Sequence, residues 1–353
     1  MIHLFEALMI ATALACGGLA YRAFRQYRNA RTFAIRTENG IDEASFIQIG
    51  GIQQWVQIRG ENRDNPVMLV LHGGMALSYM ALTSLFQLWE KQFTIVQWDR
   101  RGVGKTFGRN HPNGHGEMNL ERTILDGIEL AEWLGKRLHK EKLILLGHSM
   151  GSIVGLTMAK RRPDLFLAYV GTEQVVSMAE NEAVSYEMML AALRTVGDEK
   201  SLNALTQIGP PPYSNVRMWG AKQQLMTRVD PTYRRMVRWI IPSLLFFAPN
   251  YSLKDLFHFI AGNRFSGEHL FADWMSFDAK KLGLRFEIPV LIIQGETDVM
   301  APTVLVQGWF EQLEAPQKSL VVVNSMGHLL MFANPDLFLC KLANFLTANR
   351  LGT

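Results

Sequence analysis

Cysteine is nearly absent from this chain of 353 residues, which contains only Cys16 and Cys340. Each stands in an apolar segment, and the two are more than three hundred positions apart in the sequence. Two such cysteines do not form the disulfide framework that stabilises small secreted proteins. The sequence therefore predicts a protein that folds without disulfides and that suits a reducing compartment.

A general excess of charge is also missing. The formal net charge is +4, and five arginines lie close together between Arg22 and Arg36, so the rest of the chain is near neutral. A local basic segment does not predict nucleic-acid binding. Neither a phosphate-binding loop nor a dinucleotide-binding turn is present, so no cofactor is expected. No metal is expected either, because His111 and His115 have no further ligands nearby in the sequence.

The N-terminus contains an uncharged and mostly apolar run, from Ala7 to Tyr21. As a helix it would rise about 22 Å. With Ile2–Glu6 included and Arg22 snorkelling to the interface, it reaches the roughly 30 Å of a bilayer core. Its positive charges follow the run, whereas those of a secretory signal peptide precede it. Residues 1–36 are therefore predicted to be a membrane anchor and basic linker, with the rest of the chain cytoplasmic. The alternative is a hydrophobic helix lying on the protein's own surface.

Small residues share one face of this predicted helix. Ala7, Ala11, Ala15 and Gly18 are spaced by four, four and three positions, which places them one above another. Small side chains let two helices approach closely within a bilayer. The pattern predicts a homodimer joined through its anchors, and the alternative is that alanine is simply common in such helices.

Apolar strands alternate with helices along the chain that follows. Two alternating runs, Ser45–Ile49 and Ile52–Ile58, flank Gly50-Gly51 and predict an antiparallel hairpin at a sheet edge. Further runs are apolar throughout, as is typical of buried parallel strands. These runs span residues 66–71, 92–98, 143–146, 165–170, 289–294 and 319–323. The sequence predicts an α/β fold with a mostly parallel sheet and helices on both faces.

Residues 173–281 interrupt this alternation. Helical periodicity continues there without a buried strand, and glycine and proline punctuate it, as at Gly209-Pro210-Pro211-Pro212. The segment is predicted to be a helical cap inserted between two parts of the core, residues 42–172 and 282–353. Its run Met236–Phe247 is more apolar than a small lid helix needs, so it would pack on the core, line an acyl pocket or contact lipid.

Ser149 stands where a predicted strand meets a predicted helix. Gly147 and Gly151 flank it in the G-x-S-x-G pattern, whose small residues let a tight turn pack against the sheet and expose the hydroxyl. The N–H of Met150 then lies at a helix N-terminus, where it can stabilise an oxyanion. The motif predicts a nucleophile, and the alternative is a structural turn of the same shape.

An acid and a histidine follow at the ends of the last two predicted strands. Asp298 and His328 occur after Ser149 in the order serine, acid, histidine, each just past a strand. A serine hydroxyl attacks only if an imidazole takes its proton and a carboxylate orients the imidazole. The sequence therefore predicts a catalytic triad of Ser149, His328 and Asp298, with Glu296 as the alternative acid.

These motifs resemble those of the α/β-hydrolases and are similar to those of the proline iminopeptidase family. The matching segments are His72-Gly73-Gly74, Asp99–Gly104, Gly147–Gly151, Gly295–Asp298 and Gly327-His328. The resemblance extends from about residue 44 to residue 349. It implies the α/β-hydrolase fold and a second oxyanion donor, which falls on the N–H of Gly74 beside that of Met150.

The chain departs from the iminopeptidase pattern at two places. Met75-Ala76 replaces the proline and glycine that usually follow the first motif, and His148 and Met150 flank the serine instead of a smaller residue and a tryptophan. We therefore expect faster cleavage of acyl esters than of prolyl anilides.

An aminopeptidase would also need acidic groups to hold the substrate's amine. Glu173, just past a strand, is the predicted substrate-binding residue for that role. Glu180, Glu182 and Glu187 are further candidates in the predicted cap.

The predicted function is that of a membrane-anchored serine hydrolase. It would cleave an ester or amide bond of a small, apolar substrate through an acyl-enzyme intermediate. One alternative is an aminopeptidase of the proline iminopeptidase type. Another is a catalytically silent binding protein on the same scaffold, because a fold does not fix a function.

Overall fold

The computed structural model describes residues 2–351, so Met1 and residues 352–353 of the predicted outer segments lie outside the described range. Eight strands form a sheet in the order β1-β2-β4-β3-β5-β6-β7-β8. They are β1 Ile41–Ile49, β2 Ile52–Gly60, β3 Val67–Leu71, β4 Thr94–Asp99, β5 Leu143–His148, β6 Phe166–Thr172, β7 Val290–Gly295 and β8 Lys318–Val323. β2 is antiparallel to both of its neighbours, and the other pairs are parallel. The predicted edge hairpin is therefore confirmed.

The central strands are buried on both faces of the sheet. In β3, Val67, Leu69 and Leu71 belong to one apolar cluster, and Met68 and Val70 belong to the other. Side chains alternate between the two faces of a strand, so a strand buried on both is apolar at every position. This is why the sequence shows continuous apolar runs here.

Helices supply the cover on both faces. The α-helices are α1 Ile2–Thr32, α2 Gly104–Asn110, α3 Leu120–Leu138, α4 Met150–Arg161, α5 Met178–Val196, α6 Glu199–Ile208, α7 Val216–Val229, α8 Pro231–Arg235, α9 Ile241–Phe246, α10 Leu253–Met275, α11 Thr303–Gln312, α12 Leu330–Ala333 and α13 Pro335–Ala348. α3, α4 and α11 pack on one face, and α13 packs on the other. The predicted α/β class is confirmed.

Helices α5 to α10 lie between β6 and β7, and we call residues 178–275 the cap. A π-helical turn, Met236–Ile240, joins α8 to α9. Met236 and Ile241 are buried against the core, whereas other apolar side chains of this stretch face solvent. Packing on the core therefore accounts for only part of the apolar run noted in the sequence.

The N-terminal helix α1 is 31 residues long. Within the described range it is the one helix long and apolar enough to cross a bilayer, with a mean hydropathy of 1.6 over its most apolar window and none of that window buried. Length and composition therefore fit a membrane span.

The last third of α1 is attached to the cap. Arg22 Nε donates to the carbonyl of Phe246 at 2.9 Å, and Asn29 Nδ2 donates to that of Phe247 at 3.0 Å. Gln26 Nε2 donates to the carbonyls of Ala248 and Tyr251, each at 2.8 Å. The last carbonyls of a helix have no partners within it, so Arg22 and Asn29 satisfy the end of α9, and Gln26 bonds the loop that follows. Arg22 is buried by this contact.

Candidate active site

Ser149 occupies a strained turn between β5 and α4. Its backbone has φ 50° and ψ −124°, a conformation that non-glycine residues rarely adopt and that persists only where the surroundings impose it. The surroundings are tight, since a Cβ at Gly151 would overlap the carbonyl oxygens of Leu71 and His72. The predicted need for small residues in this turn therefore has a direct steric cause.

The structure brings the three residues of the predicted triad together. His328 Nε2 lies 3.2 Å from Ser149 Oγ, and His328 Nδ1 lies 2.9 Å from Asp298 Oδ2. Asp298 is fully buried, and its Oδ1 accepts the N–H groups of Met300 at 2.8 Å and Ala301 at 2.9 Å. These bonds fix the carboxylate, so the carboxylate can in turn orient the imidazole.

The surroundings of His328 stabilise its protonated form. Burial alone lowers the pKa of His328, but the charge and hydrogen bond of Asp298, with the charges of Glu173 and Asp230, outweigh burial, and the pKa is raised above its usual 6.5. A proton taken from the serine would therefore be held favourably on this ring.

The alternative acid, Glu296, lies apart from the imidazole. Its side chain is exposed, and Oε2 accepts the N–H of Ser325 at 2.9 Å. The carboxylate that contacts His328 Nδ1 is that of Asp298.

Both predicted oxyanion donors border the same cavity as Ser149. Gly74 has φ +61°, a left-handed conformation that favours glycine. Arg100 Nη2 donates to the Gly74 carbonyl at 3.2 Å and so holds the turn. Burial lowers the pKa of Arg100 to about 9, which leaves it charged at neutral pH. Met150 is the first residue of α4, so its N–H has no acceptor within the helix.

A buried network behind the serine was not predicted. His148 Nε2 lies 3.1 Å from Glu173 Oε2, and His148 Nδ1 lies 2.5 Å from the Tyr79 hydroxyl. The same hydroxyl accepts the N–H of Gly73 at 2.8 Å. The network therefore connects the end of β6 to the turn that contains Gly74. The sequence signal was His148 itself, a polar residue at the end of an apolar strand.

Glu173 does not border the cavity, contrary to its predicted role in substrate binding. Its side chain is fully buried, and its carboxylate accepts the N–H of Leu330 at 2.8 Å and the hydroxyl of Thr172 at 2.7 Å. Burial favours the neutral acid, yet His148 and the other partners prevail and lower the pKa of Glu173. These partners already compensate the charge, so the carboxylate has no open position for an amine.

The other acidic candidates differ in position. Glu180 is on the surface and pairs with Lys280 at 2.7 Å, and Glu187 is exposed. Glu182 does border the cavity. Its Oε2 lies 2.8 Å from Lys222 Nζ, and its Oε1 accepts the indole N–H of Trp219 at 3.0 Å. Lys222 is fully buried behind the cavity wall, and its ammonium group balances the charge of the Glu182 carboxylate.

The cavity above Ser149 has a volume of about 470 Å³, which suits a small organic substrate. Most of its wall is apolar, and four flexible methionines contribute to it. The apolar lining residues are Met75, Leu77, Met150, Val175, Met178, Val216, Trp219, Met300 and Leu329. Polar groups add to the wall, among them the exposed Arg217, Arg264 and Glu268.

The cap also contacts the loop of the histidine. Asp230 Oδ2 accepts the backbone N–H of His328 at 3.1 Å, and its Oδ1 accepts that of Tyr233 at 2.8 Å. Burial raises the pKa of Asp230. No sequence motif marks this residue, because the contact depends on how the cap folds over the core.

Within residues 2–351, no group of three histidine, cysteine or acidic side chains is arranged to hold a metal ion.

The chain is similar in sequence to known proteins. Residues 68–339 match the model of a family described as the alpha/beta hydrolase family. A probable aminopeptidase, YbaC, from Bacillus subtilis is 30% identical over 307 residues, which cover 83% of this chain and 92% of the relative. A proline iminopeptidase from Thermoplasma volcanium is 23% identical, with 87% and 97% covered.

Solved structures share the fold. A proline iminopeptidase from Mycobacterium smegmatis aligns with a TM-score of 0.62 at 18% identity, over 87% of this chain and 98% of the other. A structure described as a membrane phospholipase A aligns with a TM-score of 0.57 at 16% identity, over 99% of both chains.

Proposed function

This chain belongs to the α/β-hydrolase family and is a hydrolase, and we propose that it is a membrane-anchored serine hydrolase acting on an ester or amide bond of a small, apolar substrate. One observation carries the proposal: His328 lies 3.2 Å from the Ser149 hydroxyl on one side and 2.9 Å from the Asp298 carboxylate on the other.

In the first half of the reaction, Ser149 Oγ attacks the substrate carbonyl carbon. His328 Nε2 accepts the hydroxyl proton as the new carbon–oxygen bond forms, and Asp298 stabilises the imidazolium. The carbonyl oxygen becomes negative and accepts hydrogen bonds from the N–H groups of Gly74 and Met150. When the bond to the leaving group breaks, His328 returns its proton to that group, and the acyl chain stays on Ser149.

In the second half, a water molecule replaces the leaving group. His328 takes a proton from the water, whose oxygen attacks the acyl carbon and re-forms the oxyanion between Gly74 and Met150. The bond to Ser149 then breaks, the serine regains the proton from His328, and a carboxylic acid leaves. The neutral imidazole is restored for the next cycle.

The residues of the cavity wall favour a substrate with an apolar acyl group over one with a free N-terminal amine. An ammonium group in a closed cavity needs an acidic partner. Glu173 is covered, Glu182 already pairs with Lys222, and Glu268 on the cavity wall pairs with Arg264 at 3.0 Å. The methionine-rich wall offers an acyl chain a deformable apolar surface. These features favour an ester or an acyl amide as substrate.

A second candidate is an aminopeptidase of the proline iminopeptidase type. It is favoured by the aminopeptidase name of the relative that is 30% identical, and by the position of Glu182 on the cavity wall. Comparison of kcat/KM for a short acyl p-nitrophenyl ester and for a prolyl p-nitroanilide separates the two. We expect the ester to be faster, and a preference for the prolyl anilide would favour the second candidate.

The anchor belongs to the same proposal. α1 has the length and composition of a span, and the arginines that follow it favour a cytoplasmic hydrolase domain. The alignment with the membrane phospholipase A covers nearly the whole chain and thus reaches into α1. Protease added to sealed inside-out vesicles should reach the domain, and protection would place it on the other side. The homodimer predicted from the small residues of α1 stays a prediction.

A fluorophosphonate probe tests the central step, because it reacts with an activated serine. The full chain should be labelled, and Ser149→Ala should lose both labelling and turnover, a loss on the order of a million-fold in rate. The exposed Ser276 provides a control, and Ser276→Ala should label like the unchanged chain. An unlabelled chain with intact fold would favour the silent binding protein.

A further inference from the structure

Six large apolar side chains are exposed on a part of the cap that we call the cap corner, residues 231–264. It consists of two helical stretches, 231–246 and the first half of α10, joined by a loop at 247–252. The exposed side chains are Val237, Trp239, Phe246, Leu253, Phe257 and Ile260, with exposed fractions of 36, 72, 39, 50, 65 and 69%. None of them closes the cavity or the core, so their exposure calls for a partner.

The two helical stretches run from the loop that α1 holds to the edge of the cavity. Their joining loop is the part of the cap that α1 holds through Gln26 and Asn29. At their other ends, Tyr233 and Arg264 border the cavity. Leu253, Phe257, Ile260 and Arg264 follow at spacings of four, three and four, so they share one face of α10. This apolar face extends about 16 Å from the loop to the cavity.

The loop also lies where α1 would leave a bilayer. The uncharged run of α1 ends at Tyr21, whose ring contacts that of Phe247 edge-on with the centroids 5.8 Å apart. The next residue, Arg22, donates to the carbonyls of Phe246 and Tyr251. The cap corner therefore begins at the level where the apolar part of the anchor ends and its basic part begins.

The charges of the cap corner fit a negative surface. Its sequence contains five basic residues, namely Arg234, Arg235, Arg238, Lys254 and Arg264. Its one acidic residue, Asp255, pairs with Lys105 at 3.0 Å. Exposed tryptophan and phenylalanine beside arginine and lysine are the side chains that bind the boundary of headgroups and acyl chains. Two copies of so basic a face would repel each other, which disfavours a second chain as the partner.

We propose that the cap corner rests on an anionic lipid surface, with its apolar side chains in the headgroup boundary and the cavity opening beside that surface. The inference rests on the proposed membrane anchor and goes beyond it, because one spanning helix alone would leave the domain free to rotate above the bilayer. With the cap corner bound, the cavity lies next to the lipid, and an apolar acyl chain can enter without crossing water.

Spin labels on the full chain test this arrangement. Cys16 and Cys340 are first replaced by serine, and single cysteines are then introduced by Phe257→Cys or Ile260→Cys. The protein is reconstituted in vesicles of phosphatidylcholine with about a third phosphatidylglycerol, an anionic composition of the kind that attracts basic surfaces. Collision with oxygen, which concentrates in lipid, is compared with collision with a water-soluble nickel chelate.

The matched controls are two exposed valines outside the cap corner. Val196 at the end of α5 is 64% exposed, and Val304 on α11 is 61% exposed, close to the values of Phe257 and Ile260. Labels at 257 and 260 should collide more with oxygen than with the chelate, whereas labels at 196 and 304 should favour the chelate. Labels at 257 and 260 that behave like these controls would overturn the proposal.

A label at Ile10, in the uncharged run of α1, separates this proposal from the anchor itself. A lipid-exposed label at 10 with water-exposed labels at 257 and 260 would remove the lipid contact of the cap corner and keep the anchor. Water-exposed labels at all three positions would remove both. Labels at 257 and 260 that are shielded from both reagents, and more so at higher protein density, would assign the face to a second copy and overturn the lipid contact. Probe labelling of Ser149 reports on the hydrolase independently of all these results.

The charge of the lipid gives a second measurement. In vesicles of phosphatidylcholine alone, labels at 257 and 260 should collide more with the chelate than they do in the anionic vesicles. Arg234→Gln with Arg235→Gln and Arg238→Gln should cause the same shift in anionic vesicles. An unchanged collision ratio in both tests would overturn the role of the basic residues.

Discussion

The Glu173 carboxylate lies 3.1 Å from Nε2 of His148, the residue that directly precedes Ser149. Both side chains are buried, and the pair is linked to the backbone on two sides: to Leu330 through Glu173, and to Gly73 through Tyr79. The buried contact between His148 and Glu173 thus connects the serine turn, the oxyanion turn and the segment after the histidine.

This connection predicts a positioning role for Glu173. Glu173→Gln should lower kcat with little change in KM, and equally for an ester and for a prolyl anilide, because the carboxylate holds backbone and does not contact substrate. The loss should be smaller than the roughly hundredfold or greater loss caused by removing an oxyanion donor. Steady-state kinetics on both substrates measure it.

The exposed Glu180 offers a control for this change. Glu180→Gln breaks only the surface pair with Lys280 and should leave both rates unchanged. If Glu173→Gln abolished turnover of the prolyl anilide alone, Glu173 would regain its predicted place in substrate binding.

Substitution of the two acids after β7 should change the rate very differently. Asp298→Asn should cost on the order of ten-thousand-fold in kcat, because the amide can hold the imidazole in the wrong tautomer. Glu296→Gln should be nearly silent, since its carboxylate bonds only the N–H of Ser325 in the described contacts. Kinetics with an acyl ester measure both variants, and the reverse ranking would transfer the role to Glu296.

The fall of kcat/KM at acidic pH should report the protonation of His328. The ring must be neutral to accept the serine proton, and its pKa is raised above 6.5. Therefore kcat/KM should fall as the pH drops, with a midpoint above 6.5. Glu296→Gln should leave that midpoint in place, because Glu296 is not among the groups that shift the pKa. A midpoint well below 6.5 would show that His328 is not the base.

The buried pair of Lys222 and Glu182 should matter for stability only as a pair. Lys222→Met leaves the Glu182 carboxylate unpaired in the cavity wall, and loss of one partner of a buried ion pair typically costs about 3–5 kcal/mol. Lys222→Met combined with Glu182→Gln should recover most of that loss. Urea unfolding of the detergent-solubilised chain measures both, and equal destabilisation of the single and double variants would contradict the prediction.

The triad residues stand at the ends of strands and were therefore predictable from the sequence. Ser149, Asp298 and His328 each follow an apolar run, and parallel strands bring their carboxyl ends to one edge of the sheet, so linear order was enough to predict their meeting. The class of fold followed from the same runs.

Contacts between distant segments were not predictable in this way. Arg22 and Phe246 are separated by 224 positions, and Asp230 meets His328 only because the cap folds over the core. Glu173 was chosen for its place just past a strand, but its burial depends on His148 and Leu330 packing around it. Periodicity reports which face of an element is apolar and does not report which partner that face meets.

The attachment of α1 to the cap also decides which part of the enzyme would be stationary. If α1 is fixed in the bilayer as proposed, its bonds to residues 246–251 hold the cap in place relative to the lipid. If the cap and the core separate, the part that moves is then the sheet with Ser149, which would move away from the membrane while the cap stays in place. Such a movement would have to break the hydrogen bond between the N–H of His328 and the carboxylate of Asp230.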